Sequence, residues 1–184
     1  MKVYNNNTSN VKNYSFLNAS ININQYNSNN IILLEPIKNN IIEKSKFIRI
    51  LYSDSNIIMN GLSIFLTFNI INYIYDNSYN NLMNTYRYKI IADKERNNDI
   101  INFIKNIEND IYNKIIINNK HNIKKRFNCK LTEQMNTYFI KFTNEIKNPN
   151  KQLEKTNNFI LKISGIWETE TEFGITYKFL DYFD

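Results

Sequence analysis

The segment from Phe159 to Leu180 constrains this chain more than any other. Leu161, Ile163, Gly165 and Trp167 alternate with Lys162, Ser164, Ile166 and Glu168. After a short polar and acidic break, Phe173, Ile175, Tyr177 and Phe179 alternate with Gly174, Thr176 and Lys178. A period of two on both sides of a tight polar break predicts a strand, a turn and a returning strand. The aromatic and β-branched content suits a half-buried pleated surface. The segment also holds the only Trp and two of the 3 Gly of the chain.

Upstream, the same reasoning predicts more short strands. Ile31 to Ile37 is an apolar run stopped by Pro36, which cannot donate to a central ladder. Phe47 to Tyr52 alternates, with Phe47, Arg49 and Leu51 opposite Ile48, Ile50 and Tyr52. The turn residues Ser53 to Asn56 lead into a longer strand, Ile57 to Phe68, in which Gly61 marks a bulge or bend. Ser20 to Asn24 alternates weakly and reads as an edge strand. Asp76 to Asn84 reads as a connection, and Tyr86 to Ile91 as a strand. Ile100, Ile104, Ile107, Ile111 and Ile115 recur at helical spacing, beside Phe103, with Asn97, Asn98 or Asp99 available as a cap. Asp110 and Lys114 are spaced for an i,i+4 ion pair. Leu131 to Met135 reads as a helical turn and Tyr138 to Thr143 as a strand. The expected fold class is therefore all-β to α+β: a small β-barrel with one inserted amphipathic helix and a C-terminal β-hairpin. Residues 1–30 form an Asn-rich, partly flexible segment, and residues 31–184 a single domain.

With 184 residues the chain is long enough for one real core. Its heavy use of Asn, Ile, Lys and Tyr follows A- and T-rich codons, so single Asn or Lys residues carry little weight. The aromatic supply of 13 Tyr and 12 Phe carries more, since aromatics both fill cores and stack on bases. A net charge of +6 permits a polyanionic partner. The single cysteine, Cys129, excludes an internal disulfide framework and points to a reducing, intracellular compartment. No apolar run of signal-peptide or membrane-spanning length is present, so no membrane partner is expected.

Catalytic constellations are not found. Scattered glycines form no phosphate loop. His121 lies in a basic run without a base-orienting partner, and Cys129 reads as an incidental thiol. With one His and one Cys, zinc ligation and other cofactors are not expected. Glu168, Glu170 and Glu172 fall on one face of an extended strand, but no second acidic cluster meets them for two-metal chemistry. Binding remains. Aromatic and basic residues interleave at Tyr86 to Lys89 and in the closing hairpin, as in single-strand binders. The candidates for base stacking are Tyr52, Tyr88, Trp167 and Tyr177. The candidates for phosphate contact are Arg49, Arg87, Lys89, Lys124, Lys125, Arg126, Lys162 and Lys178. Phe173 and Phe179 read as core, while Trp167 sits on the face of Leu161 and Ile163 but at the strand's end.

The residues Gly165 and Trp167, followed by Gly174, Ile175, Thr176, Tyr177 and Lys178, resemble a pattern in virus-encoded single-stranded DNA-binding proteins with an OB fold. Phe47 to Ser53 with Asn60 and Gly61 resembles an upstream element of those proteins. So does the helix containing Ile107 and Glu108, ahead of Leu131 to Gln134. The resemblance spans roughly residues 31–180. It implies an OB-like barrel and a non-enzymatic protein that coats single-stranded DNA in viral replication, recombination or repair, in the host cytoplasm or nucleus. It also implies assembly into homo-oligomers and contact with replication proteins. Many such proteins end in a strongly acidic tail that recruits partners, whereas this chain ends with only Asp181 and Asp184. The competing readings are an RNA-binding module and a structural or interaction protein of a virion or AT-rich parasite. A nuclease is more distant.

Overall fold

The computed structural model describes residues 19–80, 85–118, 124–144 and 158–182. In chain order the strands are β1 (Ile31–Leu33), β2 (Ile37–Lys38), β3 (Lys46–Ser53), β4 (Ile58–Asn60), β5 (Leu62–Thr67), β6 (Ile70–Asn80) and β7 (Thr85–Ala92). Helix α1 (Asn98–Asn118) follows, then β8 (Arg126–Asn128), helix α2 (Lys130–Thr137), β9 (Phe139–Asn144), β10 (Asn158–Glu168) and β11 (Glu172–Asp181). The protein is mostly β with two helices, the α+β class expected from the sequence.

The strands form an open mixed sheet in the order β1-β3-β10-β11-β9-β7-β6. No pairing among the described strands joins its ends, so it does not close as a barrel. Strand β10 is its hub. One edge pairs with β11; the other pairs first with β5 and then with β3. β11 runs parallel to β8 at one end and to β9 at the other, with α2 between these two partners in sequence.

One sheet face builds the core. Leu161 lies opposite Ile64 and Phe179, and Ile166 opposite Ile48 and Ile175. All six side chains are buried, each contributing about 1.5–3 kcal/mol on leaving water. The rings of Phe142, Phe159, Phe68 and Phe179 pack as a cluster, with Phe142 and Phe159 only 4.3 Å apart. Helix α1 lays the buried stripe Ile101, Ile104, Ile107, Ile111 and Ile115 on this core. Its Tyr112 ring stacks on Phe173 at 6.2 Å. Helix α2 adds Leu131 and Met135. Buried Glu108 of α1 tethers α2 by accepting hydrogen bonds from the first-turn amides of Leu131 (3.2 Å) and Thr132 (2.7 Å). This satisfies donors that a helix cannot satisfy for itself.

Gly61 divides the expected Ile57 to Phe68 strand into β4 and β5. Its φ of +91° is one that L side chains rarely adopt, and a Cβ there would lie 2.7 Å from the Ile163 carbonyl oxygen. Fully buried Asn97, directly before α1, accepts from the Asn69 amide and donates to the Asn69 and Asp93 carbonyls. It thereby ties the bend after β5 to the helix start.

Several local expectations change. Ser20 to Asn24 makes a single bridge, Ile21 to Ile64, because the chain turns into a 3₁₀ helix at Ile23. Ile21 is buried, and the Tyr26 hydroxyl donates to Asp110 at 2.9 Å, so residues 19–30 include parts packed on the domain. Asp76 to Asn80 belongs to β6 rather than to a connection; residues 81–84 lie outside the described residues. Asp110 and Lys114 do not pair, because Lys114 donates instead to the Ile31 and Asn29 carbonyls. Glu168 ends β10 and Glu172 begins β11 on either side of a turn, so the three glutamates do not share one strand face.

Candidate nucleic-acid interface

The face opposite the core is set by one irregularity in β10. Its register with β11 runs from Ile163 opposite Tyr177 directly to Gly165 opposite Thr176, leaving Ser164 as the extra residue of a β-bulge. A bulge reverses the alternation beyond it. Leu161 and Ile163 point into the core before Ser164; after it the buried side chains are those of Ile166 and Glu168. Trp167, expected beside Leu161 and Ile163, is thereby turned to the other face, the one carrying Lys162.

Trp167 is half-buried there and lies opposite Phe47 on β3 and Gly174 on β11. A Cβ on Gly174 would meet the indole Cζ2 at 2.8 Å, and one on Gly165 would meet the Phe47 Cζ at 2.5 Å. The two glycines thus leave room for two rings to lie over the sheet. Arg49, opposite Gly165, is exposed and donates from Nη1 to Asn60 Oδ1 at 3.0 Å. Lys162 is half-buried and directly opposite exposed Lys178. Farther along β10, Ile160 lies opposite Phe65, whose ring meets Tyr182 edge-on at 5.1 Å. Arg49, Lys162, Trp167 and Lys178 therefore gather on one face, joined by Phe47, Phe65 and Tyr182.

The remaining candidates separate from them. Tyr52 has no exposed surface. Its hydroxyl accepts from the Asn27 amide and Asn30 Nδ2 and donates to the Gln25 carbonyl. No face of its ring can take a base, which corrects the expectation. The reason was legible: Tyr52 has the parity of Ile48 and Ile50, opposite to that of Arg49. Lys125 donates to Glu168 Oε1 at 2.6 Å and to the Thr169 carbonyl at 2.8 Å. Arg126 pairs with Glu172 at 2.8 Å. Both cations thus neutralise the acidic hairpin tip. Lys124 is exposed nearby.

Tyr177 points away from the lysine face. Its hydroxyl hydrogen-bonds Gln134 Oε1 at 2.8 Å and the Lys130 carbonyl at 3.3 Å. Burial, reinforced by Glu108 and Glu133, pushes its pKa up to about 12. It lines a groove of about 470 Å³ with Lys89, Lys130, Gln134, Phe139 and Lys141. Arg87 and Tyr88 are in β7, Tyr88 opposite Phe142; their side chains lie outside the described residues.

No protein-family model, curated protein or solved structure matches this chain. The site therefore has to be read from its own chemistry. Among the described residues, no three His, Cys, Asp or Glu side chains converge as a metal site, and no helix is long and apolar enough to cross a membrane. What the outer face offers is aromatic surface beside cations on a β-sheet. The sequence missed Phe47, Phe65 and Tyr182 as members of it. Parity within β3 could have supplied Phe47, which alternates in step with Arg49. Parity within β5 likewise turns Phe65 away from buried Ile64 and Leu66, whereas Tyr182 depends on contact across the sheet, which no local pattern encodes.

Proposed function

We propose that this protein binds single-stranded DNA without catalysing a reaction, coating it during replication, recombination or repair. The supporting observation is the Ser164 bulge, which turns Trp167 onto the face of Arg49, Lys162 and Lys178. Bases stack on Trp167 and Phe47 while the cations neutralise phosphates. Each stacked base contributes about 1–3 kcal/mol and carries little sequence preference, because every base has a π-face. Phosphate neutralisation releases counterions and makes affinity fall with salt.

Titration of labelled oligothymidine at low and moderate salt tests this reading, with oligouridine and duplex DNA as parallel arms. Salt-sensitive binding that prefers the single DNA strand is the expected result. Tighter binding to oligouridine would transfer the site to RNA. Equal affinity for duplex would reduce it to general polyanion attraction, and no binding at low salt would overturn it.

A further inference from the structure

The lysines of the sheet are not scattered. Lys162 of β10 is directly opposite Lys178 of β11, and Lys141 of β9 is directly opposite Lys89 of β7. The two pairs are adjacent. β11 and β9 run parallel with Phe179 beside Phe142, and Lys178 and Lys141 each stand one residue before that pair. The Phe142 and Phe179 rings meet at 5.7 Å inside the core, so alternation directs Lys178 and Lys141 to the other side. The four lysines occupy consecutive strands β10, β11, β9 and β7, in that order. At about 4.8 Å per strand the row is roughly 14 Å long.

Such an arrangement opposes folding. Like charges directly across a strand pair are destabilising, and none of these lysines forms an ion pair among the described residues. Lys178 and Lys141 are exposed, and Lys162 and Lys89 half-buried. The row has Trp167 on the strand that begins it. Its other half, Lys141 and Lys89, lines the groove between β9 and α2 together with Lys130, Glu133 and Phe139, the last 42% exposed.

We infer that a single nucleic-acid strand crosses the sheet at right angles to its β-strands, its phosphates on the Lys162, Lys178, Lys141 and Lys89 row, and passes into the groove beside Phe139. This rests on the proposed function and adds a path to it, with a second half on β9 and β7 that lies away from Trp167. The phosphates relieve the repulsion between facing lysines, so the bound strand stabilises what the free protein strains.

The test is the salt dependence of oligothymidine binding by two double variants, Lys162→Gln with Lys178→Gln and Lys89→Gln with Lys141→Gln. Each should reduce the slope of log affinity against log salt by about 1.4, at about 0.7 per single-strand phosphate. Each should also raise the Tm of the free protein, a gain that a merely structural lysine would not give. The corresponding Lys→Arg pairs should restore the slope. A normal slope in the Lys89 and Lys141 variant, with a reduced one in the Lys162 and Lys178 variant, overturns the path and leaves the proposed function standing. Unchanged slopes in both variants overturn the lysine row, whereas absence of binding by the unmodified protein overturns the function itself.

Discussion

The two faces of the sheet are written in the same alphabet and do opposite things. Strand β11 turns Phe173, Ile175 and Phe179 into a core covered by α1 and α2, and presents Thr176 and Lys178 on its other side. Strand β10 turns Phe159, Leu161 and Ile163 inward, then shifts at Ser164 and turns Trp167 outward. Aromatic content alone does not separate the faces. What separates them is the company each ring keeps: helices and β-branched side chains on one side, glycines and lysines on the other.

Ile166→Ala attacks that division directly and should have the largest effect. The bulge keeps Ile166 inward and Trp167 outward; regular alternation through Ser164 would exchange them. Truncating a fully buried isoleucine costs about 2–5 kcal/mol. Urea unfolding should report a loss of that size, or no cooperative transition. A variant of normal stability would mean that Ile166 does not face the core and that the bulge does not set the two faces.

Trp167→Ala separates the faces by function. The indole is half-buried, so its removal should cost roughly 1–2 kcal/mol of stability. Oligothymidine affinity should fall by about 1–3 kcal/mol with the fold retained. Collapse of the fold with binding otherwise normal would assign Trp167 to the core.

Tyr52→Phe should produce a smaller and opposite pattern. It removes a hydroxyl that connects the Gln25 carbonyl, the Asn27 amide and Asn30 Nδ2, while leaving the buried ring in place. Stability should fall by about 1 kcal/mol and DNA affinity should not change. Weakened binding at undiminished stability would return Tyr52 to the interface.

The sequence therefore contained the faces but not their phase. Every inward residue of β3 and β11 follows from simple alternation, and the isoleucine stripe of α1 lands where its spacing predicts from Ile104 to Ile115, while at its start Ile101 is buried in place of the expected Ile100. The bulge did not show, because Ser164 is an ordinary strand residue until its partners are known. Its effect reached the candidate site: the expected face for Trp167 was the wrong one. Charge was misread for a similar reason. The basic run at Lys125 and Arg126 looked available, yet its partners are Glu168 and Glu172, more than forty positions away. The second lysine pair escaped notice because Lys89 and Lys141 meet only through the β7–β9 register.

The last prediction concerns the core side alone and should be the smallest. Burial pushes the Glu108 carboxyl above its ordinary range, and nearby Glu133 adds to this; the amides of Leu131 and Thr132 and the Thr132 side chain pull it back without cancelling it. A group whose folded-state pKa is raised binds its proton more readily in the folded chain. Its contribution is complete below the unfolded Glu value of about 4.3 and is lost as pH rises through the folded value. Glu108→Gln cannot titrate, so its stability should decline less than that of the unmodified protein as pH rises from 4 toward 7. Its absolute stability is a separate matter, because a carboxamide presents one oxygen where two amides now converge. Urea midpoints across that pH range give the comparison. Identical pH profiles would show that Glu108 stays ionised throughout, held by the α2 amides against its burial.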